Sequence, residues 1–210
     1  MTQWPAALAI LVVLVGVLAG CDSTIPRDIE PSLTPRVAGV PRTFSSHGIS
    51  FEYPGDWSVI PVNAPTSPDP LGTLSSHAVG LDRLDLVLVS VFGAKIRVTA
   101  ENFSAHLTEL EIASESLLEA MGYGVQGKPE SISVNGLPGL RWQITLPTSV
   151  GYVLEGTGSI LFDVTTLYVI QCPSVPERAG VIDQGCDQIL ESFALQPVGE
   201  TLPTSTVRPR

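Results

Sequence analysis

A run of apolar residues near the middle of the chain places the strongest limit on the fold. Leu84–Phe92 reads LDLVLVSVF and is rich in valine. A nearly continuous apolar run is typical of a strand covered on both faces, because a strand with one wet face alternates apolar and polar residues. The other segments of the chain must therefore cover both faces of a sheet.

Two segments with helical periodicity can supply this cover. The first is expected to begin after Thr99 as its N-cap and to end at Gly122 or Gly124. The second covers Val181–Phe193. The apolar faces are Phe103, Leu107, Leu110, Ser114, Leu117, Leu118 and Met121 in the first helix, and Val181, Ile182, Cys186, Ile189, Leu190 and Phe193 in the second.

Turn signals between alternating segments predict the remaining strands. Asn135-Gly136 is the strongest of them, because this dipeptide suits a two-residue hairpin. The predicted hairpins join Ile49–Tyr53 to Trp57–Ile60, Ser131–Val134 to Leu140–Leu146, and Tyr152–Phe162 to Thr166–Gln171 around Asp163. This order of elements predicts an α+β domain in which helices pack on an antiparallel sheet.

The N-terminus resembles a secretory signal. Ala6–Gly20 contains fifteen apolar or small residues without a charge, fewer than the roughly 20 that a membrane-spanning helix needs. Leu18-Ala19-Gly20-Cys21 resembles the lipobox of bacterial lipoproteins, although no Lys or Arg precedes it. The resemblance implies cleavage before Cys21 and a diacylglyceryl group on its thiol. The alternative is an uncleaved anchor helix in which Cys21 has no role.

These features divide the chain into four parts. Residues 1–20 are the expected signal peptide, and residues 21–42 are a tether with prolines at 26, 31, 35 and 41. Residues 43–196 are the folded domain, and residues 197–210 are a tail rich in Pro, Thr and Ser. The chain has a formal charge of −10, and the excess of acidic residues lies in the folded domain. Because nucleic acids require clustered Lys and Arg, we expect no nucleic-acid partner.

Three segments of the domain carry a family resemblance. They are His47–Ser58, Asn135–Trp142 and Ile189–Phe193, and they resemble the opening hairpin, the middle turn and the closing helix of the Mog1/PsbP-like family. Lipoproteins of the LpqN type are the most similar in organisation. The resemblance implies an antiparallel sheet sandwiched between helices and a binding or assembly role. It carries over no catalytic residue.

Two cysteines remain if Cys21 is lipidated. An exported domain meets oxidising conditions, so Cys172 and Cys186 are expected to form a disulfide. Cys172 ends a predicted strand and Cys186 lies on the core face of the last helix, so this bond would join helix to sheet. The alternative, a metal pair, lacks nearby His or further Cys ligands.

Other candidate sites have weaker support. Ser-Ser-His occurs at 45–47 and at 75–77, and Ser45 and His47 would share a face in a strand, but no Gly-x-Ser-x-Gly motif accompanies either copy. His106 is expected to pack against its helix.

Aromatic residues on strands either line an apolar pocket or belong to the core, and this choice stays open for Tyr53, Trp57 and Trp142. The row Glu111, Glu115 and Glu119 is either a solvated helix face or a surface for a cation or a basic partner.

These patterns predict a binding protein and no enzyme, metal or cofactor. We expect a lipid-anchored protein on the extracytoplasmic side of the cell membrane that docks a protein partner of the envelope. The alternative is a carrier or sensor of a small apolar or lipidic ligand, held in a cleft between sheet and helix.

Overall fold

A computed structural model describes residues 39–62 and 71–196. The predicted signal peptide, Cys21, most of the tether and the tail lie outside the described residues. Within the described part of the chain, no helix is both long enough and apolar enough to span a membrane.

The described residues form nine strands and two α-helices. Short 3-10 turns at Phe103–His106 and Pro176–Arg178 lead into the two helices. The elements are β1 (Arg42–Ser46), β2 (Ile49–Tyr53), β3 (Ser58–Ile60), β4 (Thr73–Gly80), β5 (Leu86–Val98), α1 (Leu107–Ala120), β6 (Gly124–Val134), β7 (Leu137–Pro147), β8 (Val153–Ser174), α2 (Ala179–Ser192) and β9 (Ala194–Leu195).

The strands form two antiparallel sheets. The smaller sheet has the order β1-β2-β9, and the larger has the order β3-β4-β5-β8-β7-β6. The apolar run of the sequence lies largely in β5, which pairs with β4 on one side and with β8 on the other. It is therefore an internal strand of the larger sheet, as its composition predicts.

Strand β8 doubles back on itself. Its first half pairs with β7 and its second half with β5. A straight strand would hold Gly156 and Cys172 on the order of 50 Å apart, yet a side chain at Gly156 would collide with the Cys172 carbonyl. The Ser174 hydroxyl also donates to the Glu155 carbonyl oxygen at 3.5 Å. The chain thus reverses close to Val164, whose φ is 51°, in agreement with the predicted hairpin around Asp163.

The other two predicted hairpins have different outcomes. The Asn135-Gly136 turn is confirmed: both residues have positive φ (50° and 85°), and β6 and β7 pair outward from it. The pairing of Ile49–Tyr53 with the strand at Ile60 is wrong. β2 pairs instead with β1 and β9, and β3 pairs with β4 in the other sheet. Since both edges of β2 are occupied, no edge is left for β3.

Each helix covers a different face of the larger sheet. Leu110 and Leu118 of α1 belong to a core with Trp142 of β7 and Phe162 of β8. On the opposite face, α2 packs in a second core, which also contains β2 and alternate residues of β5 and β8. The predicted fold class, an antiparallel sheet sandwiched by helices, is confirmed. The smaller second sheet is an addition to it.

The predicted helix faces are largely correct. In α2, Ile182, Cys186, Ile189 and Leu190 are buried, but Val181 is 50% exposed, so its assignment to the core face is wrong. The cause is helical geometry, because position 181 is rotated about 100° from its buried neighbour at 182.

The predicted end of α1 is also correct, but its predicted start is not. Gly122 has φ of 92°, and the Tyr123 amide donates to the Leu118 carbonyl, which together make a Schellman ending. Thr99 does not cap the helix. Its hydroxyl instead hydrogen-bonds to the Glu101 carboxylate and lowers the pKa of that group.

Burial of Tyr123 predicts an alkaline loss of stability. Burial raises the pKa of the Tyr123 phenol from 10 to about 12. The unfolded chain therefore loses this proton first, and the free energy of unfolding should fall between pH 10 and 12 by up to about 1.4 kcal/mol per pH unit. Tyr123→Phe should make this fall shallower in urea unfolding at pH 8 to 11.5. The matched control is Tyr152→Phe, at an exposed tyrosine; equal slopes for the two variants would contradict the prediction.

Candidate functional site

Two open clefts lie along helix α2. The first, the β8 cleft, has a volume of about 470 Å³ and lies between α2 and the ends of β8, with Glu155, Thr157 and Asp183 in its lining. The second, the β6 cleft, has a volume of about 620 Å³ and lies between α2 and residues 130–134 of β6. Helix α2 is therefore a wall of both clefts.

An ion pair is shared by the two clefts. Arg141 of β7 and Asp187 of α2 line both, and Arg141 Nη2 lies 3.8 Å from Asp187 Oδ1. Arg141 is further positioned by Ser159, whose hydroxyl accepts a hydrogen bond from Arg141 Nε at 3.3 Å. This pair crosses from sheet to helix and connects the two clefts into one surface, which we call the α2 groove.

The α2 groove is acidic. Asp183, Asp187 and Glu191 are spaced i, i+4 and i+8 along α2, so they share one helix face. Glu155 adds a carboxylate to the β8 cleft, Glu130 adds one to the β6 cleft, and Arg141 is the cationic residue among the described lining residues. Burial, and secondarily the charge of Asp187, raise the pKa of Asp183. The surface is suited to positively charged groups.

A disulfide holds the middle of α2 against the sheet. Cys172 of β8 and Cys186 of α2 are bonded, with their Cα atoms 6.1 Å apart. Thr157, in the lining of the β8 cleft, lies directly beside this bond, with its hydroxyl 3.8 Å from Cys186 Sγ. A side chain at Gly185 would collide with the Trp57 ring, so the helix approaches the core closely at this point.

The Asn135 turn holds the C-terminal end of α2. Asn135 Nδ2 donates to the carbonyl oxygens of Glu191 and Phe193, at 3.1 and 2.7 Å. These carbonyls lie at the helix end, where intrahelical donors run out. The same residue therefore makes the β6–β7 turn and fixes the helix wall of the β6 cleft.

An ion pair holds the N-terminal end of α2. Arg178 Nη1 donates to Asp82 Oδ2 at 2.7 Å and to Asp85 Oδ2 at 2.9 Å. Asp85 is buried, and its Oδ1 also accepts a hydrogen bond from the Val175 amide at 3.1 Å. Both acids belong to the turn between β4 and β5, so this network connects that turn to the entry of the helix.

The aromatic residues considered as a pocket lining are core residues. Tyr53 and Trp57 are buried in the core that contains α2, and Trp142 is buried in the core that contains α1. The sheet separates the two groups. They do not converge on a common cavity.

The structure brings two of the three histidines together. The His47 and His77 rings have centroids 5.0 Å apart. Ser46 Oγ lies 2.6 Å from His47 Nδ1, whereas Ser76 Oγ pairs with Ser90. Burial, and secondarily His47, lower the pKa of His77.

Further details of these segments differ from expectation. His47 has φ of 50° and lies in the turn between β1 and β2, so it does not share a strand face with Ser45. His106 is partly exposed and lies 3.4 Å from Glu109.

Within the described residues, no group of three or more His, Cys, Asp or Glu side chains could hold a metal ion.

The residues of the α2 groove were missed by sequence reasoning. The spacing of Asp183, Asp187 and Glu191 is visible in the sequence, but a solvated helix face has the same pattern. Arg141 and Glu130 lie on strands, and no sequence pattern indicates that they face this helix. The groove forms because core packing, the Cys172–Cys186 bond and the Asn135 turn together place α2 over β7 and β8.

Solved structures supply the comparison for the fold. No family model matches the chain, and no curated protein matches it in sequence. The solution structure of cyanobacterial PsbP (CyanoP) from Synechocystis sp. PCC 6803 has a TM-score of 0.50 at 13% identity and covers 86% of this chain and 99% of its own. The crystal structure of LpqN, involved in cell envelope biogenesis of Mycobacterium tuberculosis, has a TM-score of 0.48 at 11% identity and covers 75% and 90%. The fold of this chain is therefore PsbP-like, as the resemblance in its sequence implied.

Proposed function

We propose that this protein docks a polypeptide partner at the cell envelope through the α2 groove. The observation that carries the proposal is the groove itself: two open clefts, joined by the Arg141–Asp187 pair, with carboxylates from helix and sheet. A surface of this kind favours a partner with exposed Lys or Arg, because complementary charge increases the rate of encounter and disfavours partners of like charge.

The proposed location rests on the sequence. Leu18-Ala19-Gly20-Cys21 supports a lipid anchor on Cys21, on the extracytoplasmic side of the membrane. Prolines at 26, 31, 35 and 41 support a spacer between this anchor and the folded domain. The acidic domain would then reach partners beyond the bilayer surface.

Docking is better supported than the carriage of an apolar ligand. Both clefts are lined mainly by charged and polar side chains, whereas a site for a lipidic ligand is lined predominantly by apolar groups. We also propose binding in preference to catalysis. The support is the family resemblance, which carries over no catalytic residue, and the mainly electrostatic character of the groove.

Photocrosslinking in intact cells tests the proposed docking. A photoreactive amino acid at Gln143, in the β8 cleft, should give a discrete adduct with another polypeptide, and one at Thr108 on α1 should not. The double variant Asp183→Lys, Glu191→Lys should abolish the adduct. The matched control is Glu115→Lys, Glu119→Lys, which makes the same change in charge on exposed positions of α1. An adduct that survives the groove variant, or that forms equally from Thr108, would overturn the proposal.

A further inference from the structure

Strand β6 has one free edge within the part of the chain that the structure describes. Among residues 39–62 and 71–196, it is the last strand of the larger sheet and pairs only with β7. In an antiparallel hairpin with a two-residue turn, the pair next to the turn is hydrogen-bonded, and the pairs then alternate. Counting from Val134↔Leu137, the residues of β6 in non-bonded pairs are Ser133 and Ser131. Their backbone N–H and C=O groups point away from β7.

The pairing partner of Ser133 supports this assignment. Ser133 lies opposite Pro138, which has no N–H to donate. A proline fits a non-bonded pair and would break a bonded one. The free edge therefore presents the donors and acceptors of Ser131 and Ser133.

Only the first half of this edge is protected against pairing. The β6–β7 register shifts between Gln126 and Glu130, where Gly127 has φ of 70°. Lys128 and Pro129 follow directly. Bulges, lysine and proline are the devices by which edge strands avoid further pairing. None of these devices is present in residues 130–134.

The unprotected half borders the β6 cleft. Residues 130–134 form one wall of that cleft, and Asp187, Leu190 and Glu191 of α2 lie on the other. Glu130, Ile132 and Val134 share one face of β6, because alternate residues of a strand point to the same side. This is the helix side, since Val134 is buried in the core with α2 and Ile132 packs against that core. A chain lying along this edge would thus have every second side chain on the face of the sheet that carries Glu130 and the carboxylates of α2.

We propose that residues Glu130–Val134 accept an extended, basic segment of the partner polypeptide as an additional strand of the sheet. The backbone of the segment bonds to Ser131 and Ser133, and alternate Lys or Arg side chains face Glu130, Asp187 and Glu191. Strand addition of this kind derives affinity from main-chain hydrogen bonds and specificity from alternate side chains. The inference rests on the proposed docking at the α2 groove and specifies its mode.

A second copy of this chain is a poorer occupant. Pairing two β6 edges would bring the Glu130 and Glu191 carboxylates of both copies together, and like charges placed opposite each other are unfavourable. A basic segment has no such cost. Charge complementarity therefore selects a different polypeptide.

Synthetic peptides test strand addition directly. The probe is a fluorescent heptapeptide with lysine at its odd positions and threonine or valine at its even positions, titrated into the full chain in detergent and followed by anisotropy. Two isomers carry N-methyl groups on either the odd or the even residues. Only one set of amides can face β6, so one isomer loses the donors to both Ser131 and Ser133. At about 1 kcal/mol for each net hydrogen bond, that isomer should bind at least about tenfold more weakly than the other. Equal affinities of the two isomers would overturn strand addition.

Substitutions on the protein give an independent test. Ser133→Pro removes an outward N–H without loss of a β6–β7 bond, so it should weaken the unmethylated peptide about fivefold, the equivalent of one net hydrogen bond. Ser133→Ala keeps the amide and should bind as wild type. Circular dichroism and thermal unfolding check the fold of both variants. Unchanged binding to a folded Ser133→Pro variant would overturn the inference.

Charge variants separate this inference from the proposed function. Glu130→Gln, Glu191→Gln should weaken the peptide and reduce the salt dependence of binding, whereas Glu115→Gln, Glu119→Gln should not. If the Gln143 adduct forms in cells but the peptide isomers bind equally, strand addition is wrong and docking stands. If the Gln143 adduct does not form, the proposed function itself is wrong.

Discussion

Arg178→Ala is expected to lower the free energy of unfolding by about 3 kcal/mol, at the lower end of the range for breaking a buried ion pair. The reason is Asp85, whose side chain is 3% exposed and which would lose its cationic partner. The Val175 amide would remain as a donor to Asp85, and the half-exposed position of Arg178 lets water reach part of the site. Urea unfolding at pH 7 measures the change.

A neighbouring acid supplies the control for this prediction. Asp82 pairs with the same Arg178 nitrogen but is 49% exposed. Asp82→Asn keeps the Oδ1 that accepts the Leu84 and Asp85 amides, so it should cost less than about 1 kcal/mol. The free-energy cost of Arg178→Lys should lie between the costs of Arg178→Ala and Asp82→Asn. If Arg178→Ala costs no more than Asp82→Asn, the burial of Asp85 does not have the energetic role assigned to it.

The Cys172–Cys186 disulfide is expected to contribute about 3 kcal/mol, because it closes a loop with a sequence separation of 14 residues and so restricts the unfolded chain. Urea unfolding of the oxidised protein, of the reduced protein and of the double variant Cys172→Ala, Cys186→Ala measures this contribution. Mass spectrometry should show a gain of two hydrogens per chain on reduction.

Loss of the disulfide should also affect binding. Cys186 lies in the middle of α2, one residue before Asp187 of the groove, so the helix wall is expected to loosen before the domain unfolds. The lysine-containing heptapeptide should then bind more weakly to the reduced protein at a temperature where both forms are folded. An unchanged unfolding midpoint in fully reduced protein would contradict the stability prediction. Two free thiols in protein isolated under non-reducing conditions would contradict the disulfide itself.

These two sites and the Asn135 turn act on the same element. Arg178 fixes the start of α2, Cys186 fixes its middle and Asn135 fixes its end. A helix held at three points is a rigid wall, and a preformed groove loses less conformational entropy when a partner binds. The stability of the fold and the shape of the candidate site therefore depend on the same contacts.

Local chemistry in the sequence determined both helices and every strand of the larger sheet except β4, which the sequence analysis did not predict. Asn135-Gly136 could be recognised because positive φ at two successive residues is a property of those residues alone. Gly122 and the apolar faces of α1 and α2 were visible for similar reasons, since helical periodicity and left-handed endings depend on near neighbours. The pairing of Cys172 with Cys186 followed from the number of cysteines in a chain whose N-terminus resembles a secretory signal.

Only the tertiary structure decided which strands pair and where the groove lies. The sequence shows Ile49–Tyr53 as a strand, but β9, more than 140 residues later, occupies one of its edges and β1 the other. Arg141 likewise meets Asp187 across 46 positions of the chain. Such contacts are selected by the packing of whole layers, because the side-chain pattern of a strand specifies its buried face and leaves its edge partners open.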